Sequence, residues 1–375
     1  MDEKASIELL KDMVEIYSPS DREEALANFL GRTLVSLGFK NVWTGKAGNV
    51  YGEVGSGHPT VLLCGHMDTV PGRIPVKIEE NRLHGRGAVD AKASLAAMIS
   101  AASSLRHETR KGRVIVAGVV EEEKTSRGIR QLIGEDLGVD YAIFGEPSGV
   151  QNIAFAYKGK LGLQIRCRTV SGHVGAQHLL DNAIEKSFEL WNNLKASSER
   201  YRSQQGVFYS LTPCLTSVVS RRTSGGVPDH CVTEVDLRLP PTVKSERALL
   251  IAEEVVDDFR AANQDVSVSL RVTDRVEAFV SERTTLTMEA LRGAILEETG
   301  APAKFIRKTG TSDMNIFGAA SKVPVAAYGP GDAHLSHTNC ECIELADYLT
   351  GVRVYKKAVE RILSQASLSS RPKGY

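Results

Sequence analysis

The sequence predicts an α/β fold, in which a mostly parallel or mixed central sheet is flanked by helices and interrupted by an inserted α+β domain. Three short apolar runs, 59–64, 114–120 and 141–144, are typical of buried strands. Helical segments alternate with strands, and this alternation indicates a mostly parallel sheet covered on both faces. After about residue 158 the apolar positions alternate with polar ones, and from about 277 the α/β rhythm returns.

The first helices follow from the spacing of apolar side chains and from their stop signals. Apolar residues recur at helical spacing over 7–17, and Pro19 ends the run. A second helix is expected over 21–37, closed by Gly38. The Ala-rich segment 91–105 predicts a third helix, because alanine has the highest helix propensity.

The middle of the chain predicts a smaller sheet with two helices on one side. Over 161–167 apolar and polar residues alternate, as in a strand with one solvated face. The same periodicities predict the remaining elements: strands at 232–239 and 266–272, helices at 179–194 and 247–262, then a helix at 284–298, a strand at 323–328 and a last helix at 343–362.

Length and pattern together predict two domains. The chain has 375 residues, and a domain typically has roughly 150. We assign residues 1–159 and 274–375 to one α/β domain and residues 160–273 to the inserted α+β domain.

Composition argues against several classes of protein. The chain has 46 Lys+Arg and 46 Asp+Glu, so no net field favours nucleic acid or an anionic membrane. The apolar fraction of 42% argues against disorder, and no apolar stretch approaches the about 20 residues of a membrane span. The start, MDEKASIELL, does not resemble a signal peptide. Six cysteines without a CxxC pair indicate thiols of a reducing compartment, so we expect a cytoplasmic protein that binds neither nucleic acid nor membrane.

Acidic and imidazole side chains follow the predicted strands, where the sites of α/β proteins collect. They are His66, Asp68, Asp90, Glu121, Glu122, Glu123, Glu146, His334 and His337. Taken alone, each has an ordinary structural explanation, such as a helix N-cap or a solvated face. If they converge, the carboxylates repel one another unless a cation compensates them. Imidazole and carboxylate ligands suit zinc, cobalt or manganese, and this many of them fits two metals about 3.5–4 Å apart.

Five segments resemble, in order, the motifs of the co-catalytic zinc amidohydrolases. They are GHMDTVPG (65–72), GRGAVDAKASLAAM (85–98), EEEKTSRG (121–128), GEPS (145–148) and HTNCE (337–341). That family includes acetylornithine deacetylase, succinyl-diaminopimelate desuccinylase and carboxypeptidase G. The resemblance implies a zinc-peptidase-like fold with an inserted lid or dimerisation domain, a homodimer, and amide hydrolysis with two Zn²⁺ or Co²⁺ ions per subunit.

The resemblance also implies the metal ligands, one residue at a time. His66 and Glu146 match the ligands of one metal. Glu123 and His337 match the ligands of the other metal. Asp90 matches the ligand that bridges the two, and the family implies a cis peptide bond immediately after it.

The register of the glutamate run leaves an alternative open. The family pattern is acid-Glu-Glu-x-x-Ser-x-Gly, and Ser126 with Gly128 aligns it so that Glu122 is the general base. In the rival register, Glu121 is the base.

A second alternative concerns the last histidine. His337 is preferred to His334 because Glu341 recreates the family's His-x-x-x-Glu spacing. Asp68 matches a catalytic-site carboxylate that orients His66, as a metal-binding imidazole requires.

Two segments of the insert also resemble the family. SGHVGAQ (171–177) looks like the segment that presents a histidine, here His173, across the dimer to bind the scissile carbonyl oxygen; a plain loop histidine is the alternative. Arg238 ends an Asp-x-Arg motif whose arginine binds a substrate carboxylate. The chain departs from the family at 224–228, SGGVP, where Gly225 stands in the region of a usual asparagine.

The segment KTGTSDMN (308–315) resembles the lysine- and ornithine-releasing hydrolases of lysine and arginine biosynthesis. These enzymes release the amino acid from the C-terminal glutamate side chain of a small acidic amino-group carrier protein. In such a substrate Arg238 is expected to pair with the carboxylate of the amino acid. Asp313 is expected either to face its ammonium or to cap a helix.

Two other functions remain open from the sequence. One is a small-molecule acylase of the same family, such as an acetylornithine deacetylase, a desuccinylase or a dipeptidase. The other is an inactive metal-binding partner module, against which the intact Glu122 and the full set of ligands argue.

Overall fold

The computed structural model of the protein describes residues 1–106, 112–221 and 224–369. Its α-helices are α1 (Glu3–Glu15), α2 (Glu24–Ser36), α3 (Lys92–Leu105), α4 (Arg127–Gly134), α5 (Ala183–Glu199), α6 (Ser245–Ala262), α7 (Leu286–Thr299), α8 (Asp313–Ala320) and α9 (Leu345–Ser369). Its strands are β1 (Lys40–Thr44), β2 (Val50–Ser56), β3 (Thr60–His66), β4 (Lys77–Glu79), β5 (Arg82–His84), β6 (Gly112–Val119), β7 (Tyr141–Gly145), β8 (Asn152–Tyr157), β9 (Gly159–Arg168), β10 (Thr212–Ser220), β11 (His230–Leu239), β12 (Ser267–Val276), β13 (Phe279–Val280), β14 (Lys304–Lys308), β15 (Val325–Tyr328) and β16 (Cys342–Glu344).

The described residues divide into two compact units. The first unit comprises 1–155, 281–306 and the residues from 312 onward. The second unit comprises 156–280 together with the short return segment 307–311. The sequence pattern did not predict that return segment. That the second unit serves as an inserted lid and dimerisation domain stays a prediction.

The larger sheet is mixed, and this confirms the predicted fold class. Its strand order is β1-β2-β6-β3-β7-β15-β8-β13, and β14 pairs with β8. The strands β6, β3, β7 and β15 run parallel, whereas β1, β2 and β8 are antiparallel to their neighbours. Because the four parallel strands end at one edge, the segments that follow their carboxyl ends emerge side by side.

Helix α3 covers this sheet so closely that nearly all of its side chains are buried. Its alanines permit the close approach, and a Cβ added to Gly65 of β3 would lie 3.2 Å from the Cβ of Leu95. At the start of α3, the buried ammonium of Lys92 donates to the carbonyl oxygens of Met13 (3.0 Å) and Ile16 (2.6 Å). Lys92 therefore satisfies orphan carbonyls at the end of α1 and ties the two helices together.

The second unit has the predicted small sheet and its two helices, but the sequence pattern did not predict strand β10. Its four strands are antiparallel in the order β10-β11-β9-β12. Alternate residues of β9, such as Leu161, Leu163 and Ile165, join α5 and α6 in one buried hydrophobic cluster. The period of two in the sequence thus separates a face that packs on helices from a face that does not.

Most of the predicted helices and strands lie within a few residues of their observed ranges, but α9 continues seven residues beyond its predicted end at 362. The sequence pattern did not predict α4, α8, β2, β8 and β10, nor short strands such as β1, β4 and β16. Among the described residues, the structure has no helix of the length and apolarity needed to cross a membrane.

Candidate functional site

His66 is the last residue of β3, at the edge where the parallel strands end. Its ring is almost fully buried, and its Nδ1 donates a hydrogen bond of 2.9 Å to the carbonyl oxygen of Asp68. Because a carbonyl oxygen can only accept, Nδ1 carries the proton, and Nε2 faces the neighbouring carboxylate of Asp90 at 3.3 Å. The backbone at Asp68 therefore fixes both the tautomer and the orientation of the ring.

The carboxylate of Asp68 holds the segment that follows β6. Its Oδ1 accepts from the backbone N–H of Glu122 and its Oδ2 from that of Glu123, both at 3.1 Å. The hydroxyl of Ser20 donates to the same carboxylate at 2.7 Å. One fully buried carboxylate thus sets the position of two glutamates relative to His66, which lies 3.5 Å from it.

Asp90 lies between two imidazoles. Its Oδ1 is 3.3 Å from Nε2 of His66, and its Oδ2 is 3.4 Å from Nε2 of His337. His337 is also 2.8 Å from Oε1 of Glu123. The expected cis peptide after Asp90 is confirmed. We call His66, Asp90, Glu123 and His337 the strand-end cluster.

The donor atoms of the strand-end cluster fit a divalent cation. One ligand atom from each of His66, Asp90 and Glu123 lies within 4.8 Å of the others. Imidazole nitrogen and carboxylate oxygen are ligands that zinc and cobalt accept. The carboxylate of Asp90, which presents one oxygen to each imidazole, has the arrangement that a bridging ligand requires.

The electrostatics of the strand-end cluster show how strongly these groups interact. Burial favours the neutral acid at Asp90, but hydrogen bonds from His337 and His66 outweigh it and hold the pKa of Asp90 well below its usual value. Burial likewise opposes protonation of His66, but Asp68 and Asp90 raise its pKa. Hydrogen bonds to Asp90 and Glu123 raise the pKa of His337 to about 10. The carboxylates therefore favour positive charge at this point, which a metal cation also supplies.

Glu121 and Glu122, the two candidates for the general base, have different surroundings. Glu121 is buried, and its carboxylate lies 2.7 Å from Arg127 and accepts a hydrogen bond from Thr125. Glu122 lies next to the strand-end cluster, where burial and then the negative charge of Glu146 raise its pKa. A carboxyl group in such surroundings exchanges a proton closer to neutral pH.

Asn49 supports the loop that carries both glutamates. Its buried side chain accepts from the N–H of Val120 (3.2 Å) and donates to the carbonyl of Gly128 (2.8 Å), so it binds both ends of the loop. No cue in the sequence indicated Asn49, because a single asparagine 71 residues away from the loop forms no local pattern.

Glu146 follows β7 and belongs to the surroundings of Glu122. Its Oε1 accepts from the hydroxyl of Ser312 at 2.9 Å. Ser312 is the N-cap of α8 and forms a capping box with Asn315. The alternative that Asp313 caps this helix is therefore wrong, because the serine before it already performs that role.

Asp313 occupies the first turn of α8 and is buried. Among the described residues, no group forms a hydrogen bond to either of its carboxylate oxygens. Burial raises the pKa of Asp313 to about 7. The negative charge of Asp313 contributes to the raised pKa of Glu122, so its carboxyl group lies near the strand-end cluster.

His173 and Arg238 belong to the second unit. Gly175 donates its N–H to Nδ1 of His173 at 3.1 Å, so this exposed ring keeps Nε2 as its N–H donor. The strand-like segment around His173 pairs with Gly226, beside the departure from the family at Gly225. Arg238 lies 2.9 Å from the carboxylate of Asp236.

The two histidine candidates near the C-terminus separate clearly. His337 contacts Asp90 and Glu123, whereas His334 belongs to a short 3-10 turn, where its backbone N–H donates to the side chain of Asp332. His337 adopts a positive φ of 63°, a left-handed backbone conformation that is uncommon for residues other than glycine.

Comparison with known proteins places these features in a family. The model of peptidase family M20/M25/M40 matches residues 62–361. A LysW-lysine hydrolase of Deinococcus radiodurans is 35% identical over 96% of this chain and 98% of its own length. A LysW-lysine/LysW-ornithine hydrolase of Saccharolobus islandicus is 31% identical over 95% of each chain.

Solved structures share the fold at lower identity. An M20 family metallo-carboxypeptidase from Sulfolobus solfataricus has a TM-score of 0.82 at 18% identity and covers 97% of this chain and 100% of its own. A dipeptidase from Saccharomyces cerevisiae has a TM-score of 0.82 at 14% identity and covers 96% of each chain. The resemblance seen in the sequence motifs is therefore confirmed, and the chain belongs to peptidase family M20/M25/M40.

Proposed function

We propose that this protein is a metal-dependent amide hydrolase that releases lysine, ornithine or both from an acidic amino-group carrier protein, in lysine and arginine biosynthesis. The observation that carries the chemistry is the carboxylate of Asp90 within 3.5 Å of two imidazoles, with Glu122 beside them. The substrate follows from the relatives named for LysW-linked lysine and ornithine, to which this chain is similar over nearly its full length.

Two Zn²⁺ or Co²⁺ ions per subunit fit the residues present. His66 and Glu146 would hold one ion, Glu123 and His337 would hold the other, and Asp90 would bridge them. When bound, such a pair lowers the pKa of water toward about 7 and polarises the amide carbonyl. Asp68 keeps His66 oriented, since it anchors both the ring and the glutamate segment.

Glu122 moves the proton in this proposal. Its carboxylate accepts a proton from the attacking water and then passes that proton to the nitrogen of the leaving lysine, so that the amine departs neutral. The raised pKa supports this role, because a base that must also act as an acid works best near the operating pH. Glu121 has no comparable freedom, because Arg127 and Thr125 occupy its carboxylate.

His173 supplies a hydrogen-bond donor for the oxyanion in this proposal. With Nδ1 accepting from Gly175, its Nε2–H is available to stabilise the oxyanion of the tetrahedral intermediate. We propose that the second unit works as a lid and dimerisation domain and that His173 reaches the active site of the partner in a homodimer.

Two charged side chains are proposed to recognise the released amino acid. Arg238 pairs with its carboxylate, and Asp313 pairs with its side-chain ammonium. The buried Asp313 carboxyl group, which forms no hydrogen bond among the described residues, is suited to a cationic partner that arrives with the substrate. A cytoplasmic location fits the six free thiols, which persist in a reducing compartment.

The substrate assignment is tested by comparing three substrates with the metal-loaded protein. We expect kcat/KM for release of lysine from the carrier-linked conjugate to exceed that for N-acetyl-lysine and N-acetylornithine by at least about 100-fold, or about 3 kcal/mol in transition-state stabilisation. Free amino acid is quantified by chromatography. Equal or faster turnover of N-acetylornithine contradicts the carrier-protein assignment and leaves a small-molecule acylase.

The two adjacent glutamates offer a matched test of the register. Glu122→Gln is expected to lower kcat about 10²- to 10⁴-fold with the metal content unchanged, because it removes the proton carrier. Glu121→Gln should lower stability rather than abolish catalysis, since this residue supports the loop through Arg127. Steady-state kinetics and metal analysis separate the two roles, and the opposite ranking of kcat values would show that Glu121 is the base.

The proposed exchange of His173 across a dimer predicts complementation between inactive variants. His173→Ala and Glu122→Gln homodimers are each expected to have little activity. After they are unfolded and refolded together at equal concentration, about a quarter of the sites combine an intact Glu122 with an intact His173. Recovery of about 25% of wild-type activity is expected in the mixture. Activity that stays at the sum of the separate variants contradicts a histidine supplied by the partner.

The buried Asp313 predicts a specific pH dependence of stability in the metal-free protein. Because its pKa rises from an ordinary 3.8 to about 7 in the folded state, ionisation costs stability progressively as the pH rises from about 4 to 7. Asp313→Asn removes that cost. Relative to wild type, its free energy of unfolding in EDTA should be unchanged near pH 4 and higher by up to about 4 kcal/mol above pH 7. Urea unfolding across this range tests the sign, which a constant difference would contradict.

A further inference from the structure

Glu341 receives four hydrogen bonds from the loop that carries Asp90. Its Oε1 accepts from the backbone N–H groups of Gly87 (3.1 Å), Val89 (2.9 Å) and Asp90 (3.0 Å). Its Oε2 accepts from Nη1 of Arg86 at 2.8 Å. Glu341 is only 1% exposed, so the whole arrangement lies inside the fold. In the sequence, Glu341 stands out only through its His-x-x-x-Glu spacing from His337.

The backbone of this loop is tightly packed against its neighbours. Gly85 and Gly87 both have positive φ, and a Cβ on Gly87 would approach side-chain atoms of Lys92 and Thr69 to 2.9 Å. The N–H groups of Gly87, Val89 and Asp90 all point to one carboxylate oxygen and would be left unpaired without an acceptor. The carboxylate of Glu341 is that acceptor.

The same carboxylate links the loop to other parts of the site. Glu341 lies four residues after His337, so it ties the His337 segment to the backbone of Asp90. Its partner Arg86 also donates from Nε to the carbonyl of Gly72 at 3.1 Å, at the end of the loop that follows His66. Three separate segments of the chain therefore meet at one buried ion pair.

We propose that Glu341 is a positioning residue that sets the separation of Asp90 and His337 for metal binding. The proposal rests on the proposed function, since it assumes that these two side chains hold the metals. Glu341 touches neither metal nor substrate in this proposal. It acts by fixing the N–H of Asp90, and thereby the carboxylate that would bridge the ions.

A matched surface pair on the same segments provides the control. Arg82, four residues before Arg86, and Glu344, three residues after Glu341, also form an ion pair, but both side chains are about half exposed. An exposed pair of this kind contributes little to stability. Replacement of Glu344 therefore reports the effect of changing an acidic residue near the site without disturbing the loop of Asp90.

The test measures metal affinity as well as activity. Glu341→Asp keeps the charge but shortens the side chain, and Glu341→Gln keeps the length but removes the charge; Glu344→Asp and Glu344→Gln are the controls. Each variant is purified metal-free, checked for folding by near-ultraviolet circular dichroism, and titrated with Co²⁺ while visible absorption is recorded. We expect Co²⁺ to bind about 10- to 100-fold more weakly to both Glu341 variants, with altered absorption bands, and normally to both controls.

The outcomes separate this proposal from the proposed function. Wild-type affinity and absorption in a folded Glu341→Asp protein overturn the positioning role, whatever the substrate is. If only Glu341→Gln fails to fold, the Co²⁺ affinity of Glu341→Asp still tests the positioning role. If wild type binds two Co²⁺ ions but releases no lysine from the carrier, the substrate assignment fails, and weak binding by the Glu341 variants still supports the positioning role.

Discussion

The concentration of carboxylates at one edge of the sheet is the constraint on which the site depends. Asp68, Asp90, Glu122, Glu123 and Glu146 follow strand ends or lie in the loops beside them; Asp68 is buried, and the other four are partly exposed. Like charges at such separations repel and lose hydration, so they persist together only with compensating positive charge. In the described residues, the imidazoles of His66 and His337 provide part of this positive charge, and the neighbouring carboxylates raise the pKa values of both rings. A pair of divalent cations would supply the same positive charge, in competition with the protons on the two imidazoles.

Buried polar side chains position the loops of this charged site. They do so through hydrogen bonds to the loop backbone, not through contact with the reacting groups. Asp68 binds the N–H groups of Glu122 and Glu123, Asn49 binds the two ends of their loop, and Glu341 binds the loop of Asp90. Each side chain satisfies buried backbone amides that would otherwise be unpaired. Because an unpaired buried amide is costly, these hydrogen bonds fix the conformation of the loops. The precision of the site therefore comes from side chains that hold its backbone in place.

The sequence predicted the mixed α/β class, the long elements and the segments that converge, because strand-end chemistry and hydrophobic period are local signals. The contact of Asp90 with His337 also follows from motifs that can be aligned with a family. The sequence did not predict the roles of Asn49 and Glu341, because their partners lie 71 and about 250 residues away and no local pattern encodes such contacts. It left Asp313 undecided between two roles, because only the structure reveals that Ser312 already caps α8.

The order of the segments along the chain has a consequence for biosynthesis. His66 emerges from the ribosome early, but Glu341 follows it by 275 residues (341 − 66). At about 5–20 residues per second, translation takes roughly 15–55 s to cover that distance. Throughout this interval the nascent polypeptide lacks both His337 and the anchor of the Asp90 loop. The site can therefore be completed only after Glu341 has been made, and until then the acidic residues of the earlier segments remain hydrated.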